Sequence, residues 1–226
     1  EMDNLAELKK LIVKYVEQLD EEKVVNLANE ALNRGIDPVI LLETVNDGME
    51  KVGKLYESKD YYIADLIFSG LIFRKILELD KMKEYFLQNK HKGLGKVVLG
   101  TVEGDIHDIG KDIFKGMLEA NGFEVIDLGV DVSKEKFIEA VRKNKPDILA
   151  MSAALTNTID TMRNIVKAFS KAGIRDKVKI IVGANHMNSD ISRYIGADGF
   201  SKKASTGTKI CLRWMKEKTG REKRIM

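Results

Sequence analysis

Val97-Val98-Leu99-Gly100-Thr101-Val102-Glu103-Gly104-Asp105-Ile106-His107-Asp108-Ile109-Gly110 runs from an apolar stretch through a turn and into a segment of different periodicity. Consecutive apolar residues from Val97 to Leu99 are the pattern of a strand buried on both faces. Beyond the turn, Ile109, Ile113 and Met117, with Phe114 and Leu118 alongside, recur at helical spacing. Strand, turn and helix therefore follow one another, and the turn Gly104–Gly110 carries one histidine flanked by two aspartates and two glycines. In an open α/β sheet such turns lie at the carboxyl ends of strands, where ligands bind. Glycines there let the backbone turn sharply or approach a bound group closely.

The same alternation continues downstream. After the first strand, Lys96 to Val102, a helix is expected to about Asn121, then a strand from Phe123 to Leu128 and a helix from Ser133 to Asn144. A strand from Asp147 to Ser152 precedes a helix from about Ile159 to Ala172, and Val178 to Val182 forms a fourth strand. A short helix to Ile195, a strand near Asp198 to Phe200 and a helix over Ser205 to Lys218 complete the series. Five strands alternating with five helices predict an α/β fold, a Rossmann/flavodoxin-like doubly wound parallel sheet with right-handed crossovers.

Upstream the pattern is helical from Leu5 to about Leu87. Leu5, Leu8, Leu11, Ile12, Tyr15, Val16 and Leu19 form one apolar stripe, and Val24, Leu27, Ala28, Ala31 and Leu32 a second, ended by Gly35. Asp37-Pro38 reads as N-cap and first helical position of a third helix through Val45, Met49, Val52 and Tyr56. The fourth, Tyr61 to Phe73, is apolar nearly all round, so it is expected to be covered on more than one side. Four such helices predict a small bundle. Polar, glycine-bearing Asn89–Gly95 reads as a linker and hinge, giving a helical domain at 1–89 and an α/β domain at 90–226.

Composition narrows the function classes. Lys+Arg 38 against Asp+Glu 35 gives a net charge of +3, interspersed, so nucleic-acid binding gets little support. No apolar run approaches the roughly 20 residues of a membrane span, and Glu1-Met2-Asp3-Asn4 does not open a secretory signal. A lone cysteine, Cys211, makes no intrachain disulfide. A cytoplasmic location without membrane partners is expected.

For His107, three roles compete: a satisfied structural histidine, a general acid or base oriented by an aspartate, or a metal ligand whose second nitrogen is held by a carboxylate. No nucleophile elbow, phosphate loop or dinucleotide fingerprint occurs. The three histidines, His91, His107 and His186, show no zinc-like spacing. One protein ligand cannot hold a free ion tightly, but it can serve a metal already caged in a macrocycle.

Asp105-x-His107-x-x-Gly110 matches the cobalamin-binding motif of B12-dependent methyltransferases and mutases. Asp105 to Lys111, with Asp127-Leu128-Gly129-Val130, resembles the methyltransferase branch. Met151-Ser152-Ala153-Ala154-Leu155-Thr156 resembles its second motif and Ile180-Ile181-Val182-Gly183-Ala184 its third. Val52 to Glu57 and Tyr61 to Leu66 resemble its helical cap, which mutases lack. The whole chain is thus similar to the small corrinoid proteins of methanol, methylamine and methoxy-compound methyltransferase systems. The family usually has Leu at Ala154, Gly at Ala184 and Pro at Ala64.

That resemblance implies a bound cobalamin or related corrinoid, in its methylcobalamin form, with His107 as axial cobalt ligand and Asp105 accepting from its other ring nitrogen. Thr158 occupies the position of a hydroxyl that extends this relay in the related methionine synthase module. Gly104, Ile106, Asp108, Ile109 and Gly110 would contact the cofactor, and Ser152, Ala154, Thr156, Gly183 and Ala184 would line the channel for its detached nucleotide. Tyr62 and Leu66 of the cap would cover the methyl face. His186 is read as a loop histidine rather than a second cobalt ligand. The implied function is a methyl-carrier subunit rather than a complete enzyme. Its implied partners are a substrate-specific methyltransferase, a second methyltransferase to coenzyme M or tetrahydrofolate, and a reductive activase. The alternative is a cobalamin-binding sensor module without transferase partners.

Overall fold

A computed structural model describes residues 2–88 and 94–225. The chain divides into two compact units, Glu1–Gln88 and Asn89–Met226. Of the linker expected over Asn89–Gly95, residues 89–93 lie outside the described residues, and Gly95 already opens the first strand.

The first unit contains α1 (Met2–Glu17), α2 (Glu21–Asn33), α3 (Pro38–Glu57), α4 (Ile63–Leu77) and α5 (Asp80–Gln88). Among its described residues it has five helices where the sequence predicts four. The extra boundary falls at Glu78-Leu79, where α4 ends in backbone bonds such as Glu78 N–H to the Lys75 carbonyl, with no glycine or proline to announce it. The expected caps are present: the Asp20 carboxylate accepts from Lys23 N–H at 3.2 Å, and that of Asp37 from Val39 N–H at 2.8 Å. Ile12, Val16, Val24, Leu41, Leu42, Val45, Phe73 and Ile76 are buried in this unit. A Cβ on Gly48 would lie 2.5 Å from Val16 Cβ, so glycine is what lets α3 lie close against α1.

Within this chain α4 is covered on one side. Ser69, Ile72, Phe73 and Ile76 are buried, but Ile63, Ile67 and Leu71 are 59%, 62% and 53% exposed. These three, spaced by four, form one apolar stripe. Tyr62 precedes it, exposed, its N–H donating to the Asp65 carboxylate at 2.7 Å.

The second unit is a five-stranded parallel sheet of order β2-β1-β3-β4-β5: β1 (Gly95–Thr101), β2 (Phe123–Asp127), β3 (Ile148–Ser152), β4 (Lys179–Gly183) and β5 (Gly199–Ser201). Crossover helices are α6 (Ile109–Ala120), α7 (Lys134–Asn144), α8 (Ile159–Lys171) and α9 (Ser189–Ile195), with α10 (Ala204–Ile225) last. Val98, Leu149, Ile180 and Val182 pack under Phe137, Met162, Ile165 and Phe169 of α7 and α8. Val97, Leu99, Ile148 and Ile181 pack under Leu118 of α6 and Cys211, Trp214 and Met215 of α10. Burial on both faces explains why the strands read as continuous apolar runs. From β1 the chain passes to β2 on one side and later to β3 on the other, so the order reverses between β1 and β3. Ligands bind outside the carboxyl ends of the strands at such a switch point. Among the described residues no helix is long and apolar enough to cross a membrane.

Candidate functional site

Two loops flank the switch point, Val102–Asp108 after β1 and Ala153–Leu155 after β3, and one carboxylate joins them. Asp105 is 1% exposed. Its Oδ1 accepts from the His107 backbone N–H at 2.9 Å and meets His107 Nδ1 at 2.7 Å. Its Oδ2 accepts from the Ala154 and Leu155 N–H groups at 2.7 and 3.0 Å. Burial pushes the Asp105 pKa up, but the backbone donors of His107, Leu155 and Ala154 and the imidazole outweigh it and hold the carboxyl below its usual range. Asp105 is therefore anionic at neutral pH, and it assigns the proton of the ring to Nδ1.

The His107 side chain is 58% exposed, so its role is not packing. With Nδ1–H committed to the carboxylate, Nε2 is the nitrogen with a lone pair to offer a metal. Among the described residues no group of three or more His, Cys, Asp or Glu could hold a metal ion by itself. A single oriented imidazole fits a metal brought in its own macrocycle.

The β1 loop is held from the other side as well. Gly104 has φ +85°, and its N–H donates to Asp131 Oδ1 at 2.8 Å. The Asp131 N–H returns to the Asp105 carbonyl at 3.0 Å, and Thr101 Oγ1 donates to the His107 carbonyl at 3.1 Å. On α6, Lys111, 4% exposed, lies between Asp112 and Asp127 at 2.6 and 2.7 Å, and Asp127 also accepts from Gly129 N–H at 2.9 Å. Burial pulls the Lys111 pKa down, yet these two carboxylates more than compensate and raise it.

The remaining expected residues fall as follows. Ile106 is 74% exposed beside the histidine. Asp108 and Ile109 are half-buried and Gly110 is exposed at the start of α6, with open space where a Cβ would stand. Ser152 and Gly183 end β3 and β4 in register with one another, and the Gly183 carbonyl accepts from Ala153 N–H at 3.1 Å. Ala154 and Thr156 are exposed, whereas Ala184 is buried. Thr158 is buried, and its hydroxyl donates to the Leu155 carbonyl rather than to Asp105. Its link to the carboxylate runs through Leu155, whose N–H is an Asp105 donor. Tyr62 and Leu66 belong to the helical unit, where Leu66 is half-buried.

Sequence reasoning did not assign Val130, Leu155 or Asp131 to the site, and it read His186 as a loop histidine, which is where the structure has it. Val130 and Leu155, 37% and 39% exposed, add apolar surface on the loops after β2 and β3. Asp131 fixes Gly104. His186, after β4, has its Nε2 buried without a hydrogen-bond partner. The readable signal was an apolar residue directly following a strand-end motif, as in Gly129-Val130 and Ala154-Leu155.

A B12 binding domain model matches residues 95–207, and a second B12 binding domain model matches residues 8–79. Trimethylamine corrinoid protein 1 of Methanosarcina acetivorans is 39% identical over 191 residues, covering 84% of this chain and 88% of that protein. The chain belongs to the B12-binding corrinoid proteins. The structure of the Methanosarcina barkeri monomethylamine corrinoid protein aligns with a TM-score of 0.81 at 27% identity, over 92% of this chain and 98% of that one. A chain of the methanol:cobalamin methyltransferase complex of Methanosarcina barkeri aligns at 0.52 and 30% identity, over 92% of this chain and 80% of that one. The cofactor of this corrinoid protein is thus cobalamin or a related corrinoid, and Asp105 and His107 lie within the matched domain.

Proposed function

We propose that this corrinoid protein is a methyl carrier: a partner methyltransferase loads a methyl group from a small substrate, and a second one removes it. Bound corrinoid supplies the cobalt that accepts and releases the methyl group. The observation that carries this reading is the Asp105–His107 pair, with Nδ1 held by a buried carboxylate and an exposed ring whose Nε2 would ligate the cobalt. Asp105 keeps the proton at Nδ1 and so keeps the lone pair at Nε2. Thr158 acts as a positioning residue by bracing the turn whose N–H groups hold Asp105.

Ile106, Val130 and Leu155 offer apolar surface to the macrocycle. Gly104, Asp108, Ile109, Gly110, Ser152, Ala154, Thr156, Gly183 and Ala184 would contact its periphery and tail, and Tyr62 and Leu66 of the helical unit would be further contacts. Methylamines are the first methyl donors to test, because the similar proteins carry the names of trimethylamine and monomethylamine systems. A substrate-specific methyltransferase is the first partner, by analogy with the methanol:cobalamin complex. A second methyltransferase to coenzyme M or tetrahydrofolate, a reductive activase and a cytoplasmic location complete the proposal.

Reconstitution of the purified chain with cobalamin tests it. The expected spectrum is that of a corrinoid whose nucleotide base has left cobalt and been replaced by a protein nitrogen, with that signature lost in His107→Ala. Trimethylamine, its cognate methyltransferase and the reduced protein should then give methylated corrinoid. A chain that retains no corrinoid, or whose spectrum is unchanged in His107→Ala, refutes the proposal.

A further inference from the structure

His186 lies in a tight turn after β4: the Met187 N–H donates back to the Ala184 carbonyl at 3.1 Å, and Ala184 N–H donates to the Ser201 carbonyl at 3.2 Å. Ala184 and Met187, at the ends of the turn, are buried in the core. The backbone of the turn is therefore fixed at both ends, while the His186 side chain between them is only half-buried. Its Nε2 is sealed from solvent and has no partner among the described residues. It is the only such side-chain nitrogen or oxygen among them. Burying an unpaired polar atom costs stability, so such an atom in a native structure calls for a partner or a functional reason.

The surroundings indicate what the nitrogen meets. His186 follows Gly183 by three residues, and a Cβ built on Gly183 would have no neighbour closer than the Ser201 carbonyl oxygen at 3.9 Å. Backbone there can be approached closely. Gly183 is in register with Ser152, whose carbonyl accepts from Val102 N–H at 3.1 Å, so the β4 loop is next in line after the loops that carry Asp105 and its donors. Asp105 is near enough that its charge favours protonation of His186, while burial of the ring opposes it more strongly.

We infer that His186 is a specificity-determining contact for the nucleotide part of the corrinoid, its Nε2 hydrogen-bonding an oxygen of the ribose–phosphate tail. This rests on the corrinoid site proposed above and adds a residue to it. A nitrogen with no partner among the described residues is satisfied when the half-buried ring turns toward an oxygen-rich tail that enters beside Gly183.

The test compares wild type, His186→Leu and His186→Gln with two probes: cobalamin, and cobinamide, which has the same macrocycle but no nucleotide. Spectral titration of the purified protein gives the Kd for each, and thermal melting is measured without ligand. Wild type should bind cobalamin more tightly than cobinamide. His186→Leu should weaken cobalamin about tenfold, the loss of one hydrogen bond in a water-excluded site, leave cobinamide within about twofold, and melt no lower than wild type. His186→Gln should recover much of the cobalamin affinity. Equal losses for both probes, no loss for either, or a Leu variant that melts well below wild type overturns the inference while leaving the His107 site standing. Failure of wild type to bind cobalamin fells the site itself, and is seen before any variant is made.

Discussion

Replacing Asp105 with Asn keeps the shape of the side chain and removes half its accepting capacity. In the native protein each carboxylate oxygen takes two donors: the His107 N–H and Nδ1–H at one, the Ala154 and Leu155 N–H groups at the other. An amide has one acceptor oxygen, so whichever way the new side chain faces, its NH2 meets two donors. With the oxygen toward Ala154 and Leu155, the NH2 confronts the imidazole, which must offer Nδ1 as acceptor and carry its proton on Nε2. The lone pair meant for the metal is then lost. Four hydrogen bonds to a charged acceptor each weaken by about 1 kcal/mol on neutralisation. Because Ala154 and Leu155 are exposed and water relieves part of that cost, the net loss is about 3 kcal/mol, or about 10 °C in Tm for the α/β unit. Calorimetry measures the first effect, and nitrogen NMR of the ligand-free protein reads the tautomer directly. Nitrogen coordination to bound corrinoid should weaken by about 10- to 100-fold. An Asn variant with wild-type Tm and the proton still on Nδ1 would refute the reasoning.

Gly104→Ala should destabilise by about 1 kcal/mol in urea denaturation, because φ is +85° while a Cβ meets nothing within 4 Å; a larger loss would mean a clash the geometry does not contain. Asp105 and Asp127 both lie below the usual carboxyl value of 3.8, so unfolding takes up protons in acid. Their stabilisation is present above about pH 4 and is lost as pH falls through the folded values, and Asp127→Asn should show a shallower fall in urea midpoint between pH 5 and 3. Burial pushes the Cys211 thiol up to about 12; the native protein should leave a thiol reagent unreacted at pH 8 and release one thiol per chain when denatured.

The α/β unit was legible to within a residue or two at most boundaries, because strands buried on both faces leave uninterrupted apolar runs such as Ile148 to Met151, and glycines punctuate them. The pairing of Asp105 with His107 was equally legible, since both lie in one short motif. Its other half was not: Ala154 and Leu155 hold Asp105 through backbone N–H groups 49 and 50 residues away, and a peptide donor has no side-chain identity to read. Thr158 shows the opposite limit. Its hydroxyl has the right position for a relay but binds a carbonyl three residues back, the local option always open to threonine. In the helical unit, apolarity marked α4 as unusual but could not say which of its faces would be covered.

His107 sends both its peptide N–H and its ring Nδ1 to a single oxygen of Asp105. A main chain and a side chain tethered to the same atom leave the ring little rotational freedom, although more than half of its surface meets solvent. The entropy of orienting the imidazole is thus spent during folding, when the sheet supplies ample compensation, and not at the moment of cofactor capture. Loading therefore begins from a ligand already aimed, and less of the free energy of metal–nitrogen bond formation goes into ordering the ring.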